Sequence, residues 1–116
     1  MTVRESYEKM GANYDGVLSR LGNEMLIKKF AVKFLKDPSF QDLTDAIEQG
    51  DAERAFRAAH TLKGICLNLG FDNLYKPGEA LTEKLRGREL NGNDALYAEV
   101  KNQYNKTVEA INEIAE

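Results

Sequence analysis

Several residue types are scarce in this chain, and each scarcity excludes something. A single cysteine, Cys66, occurs in 116 residues, so no internal disulfide can form. Its apolar helical setting predicts a reduced, buried thiol. Only two prolines and no tryptophan are present. No stretch is apolar and long enough to cross a bilayer, and the N-terminus Met1-Thr2-Val3-Arg4-Glu5-Ser6 has no apolar leader core. A basic excess is also missing. The net charge of −3 argues against a general nucleic-acid or anionic-membrane binder. No G-x-S-x-G elbow and no phosphate-cradling glycine loop appears, which speaks against hydrolase and ATP-binding chemistry. There is one histidine, His60. With no second histidine and the cysteine on another face, no metal-ligand set is present, and no cofactor is expected. The expectation is a single cytoplasmic domain over residues 1–116, acting as a monomer.

What is present is helical periodicity almost throughout, which predicts an all-α fold. Residues from about Ser6 to Leu21 read as one broken helix or two short ones, weakened by Gly11 and Gly16. Asn23 caps the next helix, which runs to about Lys36 with Leu26, Phe30 and Phe34 inward and Lys29, Lys33 and Lys36 outward. Asp37-Pro38 ends it. Ser39 is expected to cap the third segment with Asp42 in capping-box spacing, and Gly50 to close it. A longer helix spans roughly Ala52 to Leu69 between Asp51 and Gly70. Asp72 is expected to cap the following one, which either begins near Pro77 or is kinked there. The last runs from about Asp94 to Ile114. Short connections imply antiparallel neighbours. The expected architecture is therefore an antiparallel four-helix bundle over about residues 23–116, with an additional N-terminal helical segment over about 1–22 across one end or side.

Placed at roughly 100° per residue, Ala55, Ala58, Ala59, Leu62, Ile65, Cys66 and Leu69 form the core face of the Ala52–Leu69 helix. His60 lies nearly opposite. Glu53, Phe56, Arg57, Lys63, Gly64 and Leu67 surround it. Mid-helix glycine costs about 1 kcal/mol relative to alanine, so Gly64 calls for a reason: cleared space beside the imidazole, or a close helix crossing. Lys63 can reach the same space with an ammonium. Near neutral pH an imidazole is substantially neutral and nucleophilic, and a phosphoryl group on nitrogen stays labile enough to be passed on. The bland alternative is an ordinary surface or core histidine, with Phe56 and Leu67 covered by the N-terminal segment.

Ala59-His60-Thr61-Leu62-Lys63-Gly64 followed by Asn68-Leu69-Gly70 resembles the signature of histidine-containing phosphotransfer (HPt) domains. Gly50-Asp51 ahead of Ala55 and Ala58-Ala59, and Leu81-Thr82-Glu83 with Arg86-Gly87, resemble the family's flanking segments, as does Leu18 to Glu24 upstream. The resemblance runs from about Val17 to Gly87. It implies a helical bundle with an exposed histidine, and phosphoryl transfer between that histidine and an aspartate of a response-regulator receiver in a two-component phosphorelay. It assigns His60 as the phosphorylated residue, Lys63 as the adjacent cation and Gly64 as the space-making position. It implies a carrier, not an enzyme, with Mg²⁺ held by the partner receiver; a hybrid histidine kinase is a further candidate partner. Phe56, Arg57 and Leu67 are expected at the docking surface. The alternative is a non-phosphorylated helical module that binds a receiver or a helix through its Phe56/Leu67 face. Two departures from the family stand out. Ile65 and Cys66 are larger than the usual residues and should alter packing only, whereas Pro77-Gly78 bears on the rim of the docking surface.

Overall fold

The computed structural model describes residues 1–115 as seven helices with no strand among them: α1 Val3–Met10, α2 Tyr14–Leu21, α3 Glu24–Phe34, α4 Ser39–Glu48, α5 Ala52–Leu69, α6 Asp72–Leu85 and α7 Asp94–Ala115. The all-α expectation holds. Side-chain caps set several starts. Thr2 and Glu5 form a reciprocal capping box. Asn13, Asn23 and Asp51 accept from the amides of Gly16, Leu26 and Arg54. The N-terminal segment is two helices, broken where Gly11 turns left-handed.

Two expected caps are corrected. Ser39 is the first residue of α4, buried, and its amide donates to Asp37 Oδ2 at 3.0 Å, so the Ser39/Asp42 box does not form. The carboxylate two residues upstream reaches the amide first. Asp72 likewise opens α6 from inside, with Phe71 at the N-cap position and no side-chain cap. Phe71 is fully buried against Tyr7 and Phe34, and anchors the turn by packing instead. Helix α6 runs through Pro77. The one bond proline cannot donate there is that to the Asn73 carbonyl, and the turn after it is tightened by the Thr82 hydroxyl donating to Gly78 O at 2.7 Å.

Helices α4 to α7 close the four-helix ring. Phe40 of α4 stacks on Tyr104 and Tyr97 of α7, with centroids 4.1 and 6.0 Å apart. Thr44 and Tyr97 share a 2.7 Å hydroxyl bond. Asn73 of α6 donates to Gln103 and Thr107 of α7. The inner face of α5 is largely alanine near its start (Ala55, Ala58, Ala59), which lets neighbours approach closely, then Leu62, Cys66 and Leu69. Ile65, expected on that face, is only half-buried.

Helix α7 has 22 residues and α6 has 14. At about 1.5 Å per residue, α7 outruns its neighbour by roughly 12 Å. That overhang is covered by α1, through Lys9 and Glu113 at 2.7 Å. The expected partition placed the Glu24–Phe34 helix in the bundle. In the structure α3 packs on α1 and α2 and also on α5 and α7, and its last residue, Phe34, meets Phe71 and Tyr104 before the chain turns into α4. The cover is keyed to the α5–α6 turn. Tyr7 OH donates to Leu69 O at 2.8 Å, and the Asn13 amide donates to Gly70 O at 2.7 Å. One continuous core joins buried side chains from all seven helices. Among the described residues no helix is long and apolar enough to cross a membrane.

Candidate functional site

Because the alanine and leucine face of α5 is consumed by the core, the opposite face must meet solvent. His60 stands at its middle, exposed, with no hydrogen bond or ion pair among the described residues. Its aromatic neighbour among the described residues is Phe56, one turn earlier, with centroids 6.0 Å apart and planes tilted by 47°. A buried, bonded imidazole would have removed the carrier reading; this one is free.

Gly64 sits one turn after His60, and a Cβ built on it meets nothing within 4 Å. The close-crossing explanation is therefore wrong for this glycine. Packing does not require it, and the space it leaves is on the outside. Lys63 is half-buried, without an ion pair among the described residues. Across from it on α6 lies Glu83. Arg86 holds the Glu83 carboxyl below its usual range through hydrogen bonds of 2.9 and 3.1 Å, and the fields of Lys63 and His60 act in the same direction. All four groups thus share one neighbourhood.

The expected docking residues differ from one another. Leu67 is openly exposed, at 52%. Phe56 is half-buried, and its ring lies beneath two guanidiniums: Arg88 Cζ is 4.0 Å and Arg86 Cζ 5.2 Å from the centroid. Arg57 is exposed and pairs with Glu53 at 3.5 Å. Glu53 is held below the usual carboxylate range, first by its hydrogen bond to Arg88 and further by Arg57. At the other end of the face, Arg20 Nη2 donates to the carbonyls of Leu67 at 2.9 Å and Asn68 at 3.2 Å, meeting the orphan acceptors of the α5 C-terminus with a cation.

Sequence reasoning placed Glu53 on this face but missed Arg20 and Arg88 as members of it. Glu83 and Arg86 were visible only as a family-like pattern. A cation at a helix C-terminus is a known signal, but Arg20 reaches α5 from a different helix, and nothing local points there. Cys66 is buried and burial pushes its thiol up, as expected of an inert core cysteine.

Clefts lie beside the site rather than at it. One of ≈ 240 Å³ is lined by Phe30, Lys33, Phe34, Asp37, Ile65, Asn68 and Leu69, and His60 is not among them. The histidine stands on open surface. No three metal-ligating side chains gather among the described residues.

A family model described as Hpt domain matches residues 37–112. Comparison with curated proteins and with solved structures returns no match. The matched span starts two residues before α4 and ends within α7, so it coincides with the four-helix ring and contains His60, Lys63 and Gly64. On that match over more than half its length, this chain belongs to the Hpt domain family.

Proposed function

We propose that His60 accepts a phosphoryl group from a receiver-domain aspartate and passes it to another receiver. Membership of the family assigns the chain to histidine phosphotransfer in two-component signalling; the residue, the partners and the route are this proposal. The observation that carries it is the free imidazole at the centre of α5, exposed and unbonded, with open space beside it at Gly64. In the forward step a neutral ring nitrogen attacks phosphorus. The N–P bond forms, the acyl-phosphate P–O bond breaks, and the electron pair leaves with the aspartate carboxylate. Delivery is the reverse. Mg²⁺ on the receiver neutralises the phosphoryl oxygens during exchange. This chain supplies the nucleophile, a cation and access, and acts as a carrier. The proposal includes a single folding unit acting as a monomer in the cytoplasm.

The test is incubation with a phosphorylated receiver and Mg²⁺. The expected result is label on this chain that is lost in acid and kept in alkali. A module that binds without phosphoryl chemistry would retain receiver binding and take no label, and that outcome would overturn the carrier.

Lys63→Ala is expected to slow transfer about tenfold, by removing a cation beside the developing phosphoryl charge. Thermal stability should stay within about 0.5 kcal/mol of wild type, since Lys63 holds no ion pair among the described residues. An unchanged transfer rate would remove Lys63 from the mechanism. Gly64→Ala separates fold from function in sign. Its Cβ meets nothing and the site is mid-helix, so the bundle should gain up to about 1 kcal/mol. Transfer from the receiver should fall about tenfold, because the methyl occupies the approach to His60. A stabilised variant with full transfer rate would show that the space is not used.

A further inference from the structure

Arg88 is the one non-glycine residue among the described residues with positive φ, at 58°. Side chains with a Cβ adopt this conformation rarely. Glycine is available one position earlier, at Gly87, yet that residue does not take the left-handed turn. The Arg88 amide donates to Leu85 O at 2.8 Å and closes the end of α6, a task for which a glycine would serve better. What glycine could not supply is the side chain. It crosses to α5, bonds Glu53, donates from Nη1 to Arg86 O at 2.6 Å, and sits over the Phe56 ring with Cζ 4.0 Å from the centroid. Three separate contacts thus fix the guanidinium on the histidine face, over the ring that neighbours His60. The side chain is nevertheless 41% exposed.

This changes the character of the docking surface. The end that would present an apolar Phe56 presents cations instead: Arg88, Arg86 and Arg57, continuing to Lys63. Glu53 and Glu83 oppose them, and both are bonded to these arginines; Asp51 lies near Glu53 at the edge of the group. The chain as a whole carries −3, so the positive field is local to the site and the rest of the surface is more acidic than the total suggests. The apolar part of the face lies at its other end, at Leu67.

We infer that Arg88 is a specificity-determining residue, which presents a fixed cation to carboxylate side chains that flank the phosphorylated aspartate of the receiver partner. This rests on the carrier reading above and adds which receivers it fits: those with an acidic rim facing the start of α5 and an apolar contact for Leu67. Charges at an interface rim act chiefly on encounter and selection, and do so less as salt rises.

The decisive variant is Arg88→Gly. Glycine suits the left-handed backbone, so the fold is kept while the side chain is removed. First, both proteins are labelled with phosphoramidate, a small donor that needs no receiver. Equal labelling rates are expected; a slower R88G would place Arg88 at the phosphoryl group itself and overturn the assignment, while no labelling of wild type would sink the carrier reading instead. Second, transfer is measured to a receiver that wild type phosphorylates. At about 50 mM salt R88G should raise KM about fivefold with kcat within about twofold, and at about 500 mM the difference should vanish. R88K keeps the charge and should stay within about twofold of wild-type KM. An unchanged KM in R88G, a rise that persists at high salt, or R88K behaving as R88G would each overturn the proposal, the last two by showing that cover of Phe56 rather than charge is what counts.

Discussion

Replacing His60 with glutamine is expected to leave the bundle folded and to reduce phosphoryl label by more than about 10³-fold. The two halves of that expectation have different grounds. The fold is indifferent to the imidazole. His60 is exposed, carries no hydrogen bond among the described residues, and has the tilted Phe56 ring as its aromatic neighbour. Glutamine is at least as good a helix former, so stability should move by no more than about 0.5 kcal/mol. The chemistry is not indifferent. An amide nitrogen has its lone pair delocalised into the carbonyl and cannot make the N–P bond. Lys63 and Gly64 remain in place, yet neither can receive the group. The measurement is label after incubation with a phosphorylated receiver and Mg²⁺, with a thermal melt on the same preparation. Label that persists in a folded variant would sink the assignment of His60. Its stability in acid would then indicate the successor, since an acid-stable residue would point to a hydroxyl such as the exposed Thr61 next along the helix.

How far such a site can be read without coordinates depends on whether the governing interaction is local. Asp51 and Gly70 bracket α5 as their side-chain types predict, because caps act within one turn of the residue that makes them. The outward direction of His60 follows from helical geometry alone once the alanines and leucines have claimed the inner face. Ser39 and Asp72 show the limit even of local rules. Both are good cap residues, and both sit one position too far in, because Asp37 and buried Phe71 already serve those turns. Periodicity told which face of α3 is apolar, but not which helices it meets. Phe56 is the clearest loss. Its position on the histidine face was legible, whereas its cover comes from Arg86 and Arg88, about 30 residues on, through a left-handed arginine that no pattern announces. Exposure of an apolar residue is a property of the whole fold, and only that of Leu67 survived.

Gly70→Ala is expected to cost about 2–4 kcal/mol, the largest loss of stability from adding a single methyl to this chain. Gly70 has φ of 72°, where a Cβ is already disfavoured by about 1 kcal/mol. Here the methyl would also sit 2.7 Å from Asn13 O and 3.2 Å from Val17 Cβ. The first of these is backbone and cannot rotate away. It belongs to the link between α1 and α2, whose Asn13 amide bonds Gly70 O at 2.7 Å, so relief requires moving the end cover off the α5–α6 turn. That movement strains the Tyr7 bond to Leu69 O and the packing of Tyr7 on Phe71. For a chain of this size the expected fall in Tm is roughly 10–20 °C. Gly50→Ala is the internal control. Gly50 has the same φ, 72°, but its Cβ would meet nothing within 4 Å, so it should lose only about 1 kcal/mol. Equal losses at the two glycines would mean that conformation alone matters and that the end cover does not press on the turn. Phosphoryl labelling of the folded fraction should be retained in Gly70→Ala, because His60 lies near the middle of α5 and the ring of α4 to α7 does not need the cover to present it. A folded variant that has lost labelling would show the opposite: that α1 to α3 hold the histidine helix in its working position.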